Sequence, residues 1–221
     1  MIPRRYMFTI SILVLLSVGM GLLFWPFLPS FAPIRWDLHD HASSYAPRWI
    51  AAMIFPAINL LTVGVALLAP RWRPFNRRVV KMGRVYGLIC MSTILAMVCI
   101  QLICMLVDIG VDLKVGQMTL LVVGLLIAVM GNFMGKVRRN WFFGIRTPWT
   151  LANDTVWERT HRIGSVLFFC LGLLIVLTSL FTSVAIAAIA LTAGLLLITA
   201  WALVYSAVLY HHVVGVGHPR N

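Results

Sequence analysis

The sequence predicts an all-α membrane protein of six transmembrane helices with both termini cytoplasmic, and three observations carry that expectation. Of 221 residues, 61% are hydrophobic and only 11% charged, with a mean hydropathy of +0.95; a soluble domain is nearer ~45–50% apolar. Six apolar runs approach the roughly 20 residues that cross ~30 Å of hydrocarbon at about 1.5 Å per residue. Lys and Arg are concentrated in alternate connectors between those runs.

The first run covers residues 6–25 and ends at Pro26 and Pro29. Arg4 and Arg5 ahead of it resemble the start of a secretory signal, but the run is long and no small-x-small cleavage site follows, so it reads as a retained helix. Residues 49–69, 85–107, 117–135, 163–181 and 184–209 supply the others. Only Thr182 and Ser183 separate the fifth from the sixth, which demands a tight helical hairpin. The chain divides into an N-terminal two-helix region, 1–84, and a four-helix region, 85–221, with an ordered cytoplasmic loop at 136–162. The former holds an outer loop and a basic cytoplasmic loop.

Orientation follows from the excess of Lys and Arg that short cytoplasmic loops carry. Arg4, Arg5, Arg71, Arg73, Arg77, Arg78, Lys81, Arg84, Lys136, Arg138, Arg139, Arg146, Arg159, Arg162 and Arg220 fall on one side, and only Arg35, Arg48 and Lys114 on the other. Asp37, Asp40, Asp108 and Asp112 share that second, outer side. The net charge of +12 therefore lies beside helix ends, where anionic head groups attract it, and no direct nucleic-acid partner is expected.

Cys90, Cys99, Cys104 and Cys170 fall inside the runs without a C-x-x-C pair and read as small hydrophobes. Asp37, His39, Asp40 and His41 in the outer loop, and His211, His212 and His218 near the end, are metal-ligand types at uninformative spacing. They read as solvated polar residues. Glu158-x-x-His161 has the spacing of di-iron bundles, but the chain holds a single Glu where that chemistry needs several. No metal, cofactor or catalytic residue is expected. Ion-coupled transporters keep ionisable residues in mid-membrane; here the polar residues are Asn59, Gln101 and Asn132, read as interhelical hydrogen-bonding amides. Gly124, Ala128, Gly131 and Gly135 form a small-residue face suited to close helix contact.

Residues 140–162, NWFFGIRTPWTLANDTVWERTHR, are too specific for a tether. Trp141, Phe142 and Phe143 read as an interfacial anchor and Gly144 as a turn. Thr147-Pro148 is an N-cap followed by Pro at the first helical position, predicting a short helix at 148–151. Thr155-Val-Trp-Glu158 has a capping-box pattern, and Glu158 stands in the favourable i, i+4 relation to Arg162, predicting a helix start near Thr155. On that helix Trp157 and His161 share a face. Anchoring explains single residues here; it explains less well a cluster of hydrogen-bonding groups within one loop.

The stretch from Gly131 to Ser165 resembles the signature of the SdpI family of bacterial immunity proteins. It has G-N at a helix end (Gly131, Asn132), then N-x-x-x-G-I-R-T-P-W-T-L (Asn140, Gly144 to Leu151), then V-W-x-x-T-H-R (Val156, Trp157, Thr160 to Arg162). The N-terminal third is similar to the companion domain often found ahead of it, through Leu28-Pro29 and Pro56. It diverges at Ile34-Arg35-Trp36-Asp37 and His39-Asp40-His41. The resemblance implies a multi-pass protein of the bacterial plasma membrane that protects its producer from a membrane-active peptide toxin. It also implies a possible relay to a cytoplasmic partner, since the family's named member holds a transcriptional repressor at the membrane.

The functional reading is thus a non-enzymatic binding protein. Its partners are the lipid bilayer, a peptide toxin at the outer or intramembrane surface, and a possible repressor at the loop. The loop residues expected to matter are Asn132, Asn140, Gly144, Arg146, Thr147, Pro148, Trp149, Trp157, Thr160, His161 and Arg162. The alternative is a small transporter or membrane enzyme with a polar site of Asn132, Arg146, Glu158 and His161, in which His161 acts as acid-base and Glu158 orients it.

Overall fold

A computed structural model describes residues 2–68, 83–141 and 143–215. Arg71, Arg73, Arg77, Arg78 and Lys81 of the second connector, Phe142, His218 and Arg220 lie outside the described residues. The helices are α1 (Arg4–Phe24), α2 (Arg48–Leu68), α3 (Gly83–Asp108), α4 (Val115–Met134), the short α5 (Pro148–Ala152), α6 (Asp154–Phe181) and α7 (Val184–Gly215). All but α5 are long and apolar enough to cross a membrane. The chain is a multi-pass membrane protein, and its outward faces fit that solvent: Leu197 is 71% and Phe181 80% exposed. The α6–α7 junction is the expected tight hairpin, with the Thr182 N–H bonded to Thr178 O at 2.9 Å.

Lipid tails are as apolar as leucine, so these helices must associate by close packing and internal hydrogen bonds. The most extensive helix pair is α4 with α6. Gly124, Ala128 and Gly131 meet Gly172 and the backbone at Phe168 and Phe169. A Cβ on Gly131 would overlap Phe169 N, and one on Gly172 would overlap Ala128 N, so the two backbones approach as only glycine permits. The small-residue face of the sequence thus finds its partner within the chain.

Polar packing joins α1, α2 and α3. Ser17 donates to Gln101 Oε1 at 2.6 Å, Asn59 Nδ2 donates to Ser17 Oγ at 3.1 Å, and Gln101 Nε2 donates to Ser17 O at 2.9 Å. All three side chains are fully buried, and each bond in such a setting contributes about 0.6 kcal/mol on average. The expectation for Asn59 and Gln101 holds. For Asn132 it does not: that residue is exposed on α4, because the face of α4 turned to α6 is the one formed by Gly124, Ala128 and Gly131.

The connector between α1 and α2, read from the sequence only as a solvated polar loop, is a β-hairpin. Strand β1 (Phe31–Trp36) pairs antiparallel with β2 (Ala42–Pro47) in the register Phe31↔Pro47, Ala32↔Ala46 and Pro33↔Tyr45. Alternation buries Ala32 and Ala46 while Phe31 and Tyr45 stay exposed. Pro33 and Pro47 argue against a sheet interior, but both strands of a two-stranded ribbon are edges, where proline is accepted. At the turn Asp37 Oδ1 accepts the N–H groups of His39 at 2.7 Å and His41 at 2.9 Å. These backbone bonds, that from His41 foremost, hold the Asp37 carboxyl below its ordinary range. Asp40, in the left-handed region at φ 63°, accepts the N–H of Gly116 and so ties the turn to the start of α4. Asp37 thus serves the turn itself and Asp40 its attachment to α4.

Candidate functional site

At the opposite end from the hairpin, residues 135–162 form a structured cap over α4 and α6. The chain leaves α4 and turns through Asn140, whose Oδ1 accepts the Phe143 N–H and whose Nδ2 donates to Arg138 O, both at 2.9 Å. Asn140 is 4% exposed, so it acts as an internal clamp on the turn. Phe143 stacks on Tyr86 of α3 with ring centroids 6.0 Å apart, and it packs against the buried pair Val137 and Trp157. Trp141 is 61% exposed, as an interfacial anchor requires; Phe143 is instead core, because Tyr86 offers it a buried ring.

The short helix α5 starts as the sequence predicts. Thr147 is its N-cap, Pro148 stands at the first position, and the capping box closes with Thr150: Thr150 N–H donates to Thr147 Oγ1 at 3.2 Å and Thr147 N–H to Thr150 Oγ1 at 2.9 Å. Thr150 also donates to Ile145 O at 2.8 Å. Thr147 Oγ1 lies 2.8 Å from Ser206 Oγ, which fixes the cap to α7.

The start of α6 needs correction. Asp154 is its first residue and Asn153 its cap, with Asn153 Oδ1 accepting the N–H groups of Thr155 at 2.8 Å and Val156 at 3.2 Å. Thr155 therefore lies inside the helix, its N–H consumed by the true cap, and no Thr155–Glu158 box forms. The reason is local: α5 delivers Asn153 in extended conformation at φ −138° and ψ 131°, the geometry an N-cap needs. Arg139 reinforces this start through an ion pair to Asp154 at 2.6 Å and a hydrogen bond to Leu151 O at 2.9 Å.

Within that frame Trp157 and His161 are stacked, centroids 3.9 Å apart and planes 17° off parallel. Trp157 Nε1 donates to Val137 O at 2.7 Å. His161 Nε2 accepts the Ile145 N–H at 3.0 Å, so Nδ1, 2.9 Å from Trp157 O, carries the ring proton. Gly144, at φ 110°, passes over this pair, and a Cβ there would stand 2.5 Å from His161 Nε2. Positive φ and close approach both demand glycine.

The expected loop residues thus separate into two sets. Asn140, Thr147, Trp157, Thr160 and His161 are buried, and all but Thr160 hold the loop through hydrogen bonds. Asn132, Gly144, Arg146, Pro148 and Arg162 are exposed, and Trp149 is partly so. Among the described residues Arg146 makes one hydrogen bond, Nη1 to Trp141 O at 2.8 Å. Residues the sequence reading missed are Val137, Arg139, Thr150, Asn153 and Ser206. Thr150 and Asn153 were legible as cap-type residues beside Pro148 and Asp154; nothing local marks Ser206.

The geometry opposes the acid-base alternative. Both nitrogens of His161 are engaged by backbone groups, and Asn132 and Glu158 are exposed without a hydrogen bond to it. Among the described residues no hydrogen bond joins any two of the four.

Comparison with known proteins gives three matches. Residues 136–206 match the SdpI/YfhL protein family, and residues 12–60 match a domain of unknown function, DUF1648. Over 172 residues, 77% of this chain and 80% of the relative, the chain is 26% identical to the immunity protein SdpI of Bacillus subtilis. No solved structure matches the chain.

Proposed function

With residues 136–206 belonging to the SdpI/YfhL family and a DUF1648 region ahead of them, we propose that this chain is a membrane immunity protein. It protects its cell from a membrane-active peptide toxin by binding and without turnover. The observation that carries the reading is the likeness to an immunity protein across 77% of the chain, because it spans both the hairpin half and the loop half. The occupied nitrogens of His161 support binding over catalysis.

The hairpin end faces outward and the loop end faces the cytoplasm. Arg4, Arg5, Arg84, Lys136, Arg138, Arg139, Arg146, Arg159 and Arg162 cluster at the loop end, which is the distribution of a cytoplasmic face. Toxin is met at the hairpin end or within the bilayer. The ordered loop then serves as a rigid platform for a cytoplasmic partner, a transcriptional repressor in the full form of this reading, with Arg146 and Arg162 exposed upon it.

The test is expression in sensitive cells challenged with membrane-active peptide toxins, with purified protein in liposomes assayed in parallel. Protection without solute flux or chemical turnover is the expected result. Ligand-dependent flux in liposomes without protection would replace this reading by a transporter.

A further inference from the structure

A cavity of about 70 Å³ lies between the hairpin and the outer parts of α2 and α3. Its walls include Trp36 of β1, Ile54, Phe55 and Ile58 of α2, and Met105 and Asp108 of α3. Ile54 and Ile58 are 37% and 38% exposed, so the cavity borders the lipid-facing surface of α2. Asp108, the last residue of α3, is the charged member of an otherwise apolar and amide lining. Its Oδ1 is buried and has no hydrogen-bond partner among the described residues.

A buried carboxylate oxygen without a donor is unfavourable, and a cationic ligand would supply one. Size narrows that ligand. Drug-sized sites occupy roughly 300–1,000 Å³, whereas this cavity admits a single side chain. A long cationic side chain satisfies both halves of the lining, with methylenes against Ile54, Phe55 and Ile58 and the charged head at Asp108. Trp36 and Phe55 add aromatic faces that attract a cation.

We propose that this cavity is where a membrane-seated amphipathic peptide inserts one lysine or arginine side chain, its cation pairing with Asp108. The inference rests on the immunity reading for its biological meaning and on the cavity alone for its chemistry. The peptide reaches the cavity from the bilayer, past Ile54 and Ile58, while the hairpin closes the far side through Trp36.

The test uses the full chain in lipid nanodiscs and a fluorescent synthetic leucine–lysine amphipathic helix, with empty nanodiscs subtracted and a leucine–glutamine peptide as the neutral control. Wild type should show saturable binding of the lysine peptide only. Asp108→Asn, which keeps shape and removes charge, should weaken it about tenfold or more. Ile54→Trp, which fills the cavity and keeps the charge, should do the same, and decides the matter if Asp108→Asn fails to fold. Unchanged affinity in the folded variants, or no saturable binding by wild type, overturns the proposal. Cell protection separates the two readings. Loss of peptide binding in Asp108→Asn with no protection by wild type leaves the cavity standing and removes immunity; protection by wild type with full binding by Asp108→Asn does the reverse.

Discussion

The imidazole of His161 lies flat on the indole of Trp157, centroids 3.9 Å apart, while its Nε2 accepts the backbone N–H of Ile145 at 3.0 Å. One side chain thereby joins the first turns of α6 to the loop that crosses over them. His161→Ala removes the stack, worth about 0.5–1.5 kcal/mol, and leaves the Ile145 N–H without its partner, a further penalty of about 1–3 kcal/mol. The loop should open while the apolar helices stay in the membrane. Hydrogen exchange at 138–153 should rise with normal membrane abundance; unchanged exchange there would mean that the stack does not order the loop.

Gly144 gives a matched pair with Gly110. Both have positive φ, 110° and 99°, but a Cβ on Gly110 meets nothing within 4 Å, whereas one on Gly144 strikes His161. Alanine at either position suffers the left-handed penalty of about 1–2 kcal/mol, and only Gly144→Ala must also displace the ring. Thermal unfolding in detergent should place Gly144→Ala clearly below Gly110→Ala. Equal losses would show that backbone strain alone sets the requirement for glycine.

Asn153, not Thr155, starts α6. Asn153→Ala should destabilise the cap by about 0.5–2 kcal/mol and raise exchange at the Thr155 and Val156 amides. Thr155→Ala should change neither, since the donor there is the Thr155 backbone. The opposite ranking would return the cap to Thr155.

What the sequence made legible was short-range. Six apolar runs, the Thr147-Pro148 start of α5, and Trp157 four residues before His161 are all patterns within a few residues, and the structure contains each of them. The cap of α6 was misread because two polar residues two apart compete and the winner depends on how α5 presents the chain. The hairpin was hidden by Pro33 and Pro47, which oppose a strand only when both edges are paired. Asn132 was misread because an amide in an apolar run says nothing of which way the helix is turned. The bonds from Thr147 to Ser206 and from Ser17 to Gln101 span 59 and 84 residues, distances over which no local pattern speaks.

Sidedness is the last expectation, and it bears on every statement about toxin and partner. The loop end carries nine Lys and Arg among the described residues and the hairpin end carries Arg35, Arg48 and Lys114. Because translocating charged short loops is disfavoured, the loop end is expected inside. Ser43 is exposed on β2, and Glu158 is exposed on α6 just beyond the cap. In intact cells, Ser43→Cys should react with an impermeant thiol reagent and Glu158→Cys should not, with wild type fixing the background from Cys90, Cys99, Cys104 and Cys170. Permeabilised cells should label both. If Glu158→Cys reacts from outside while Ser43→Cys is protected, the chain sits the other way. The hairpin, and the Asp108 cavity beneath it, would then face the cytoplasm, out of reach of a peptide arriving from outside unless it first crossed the bilayer.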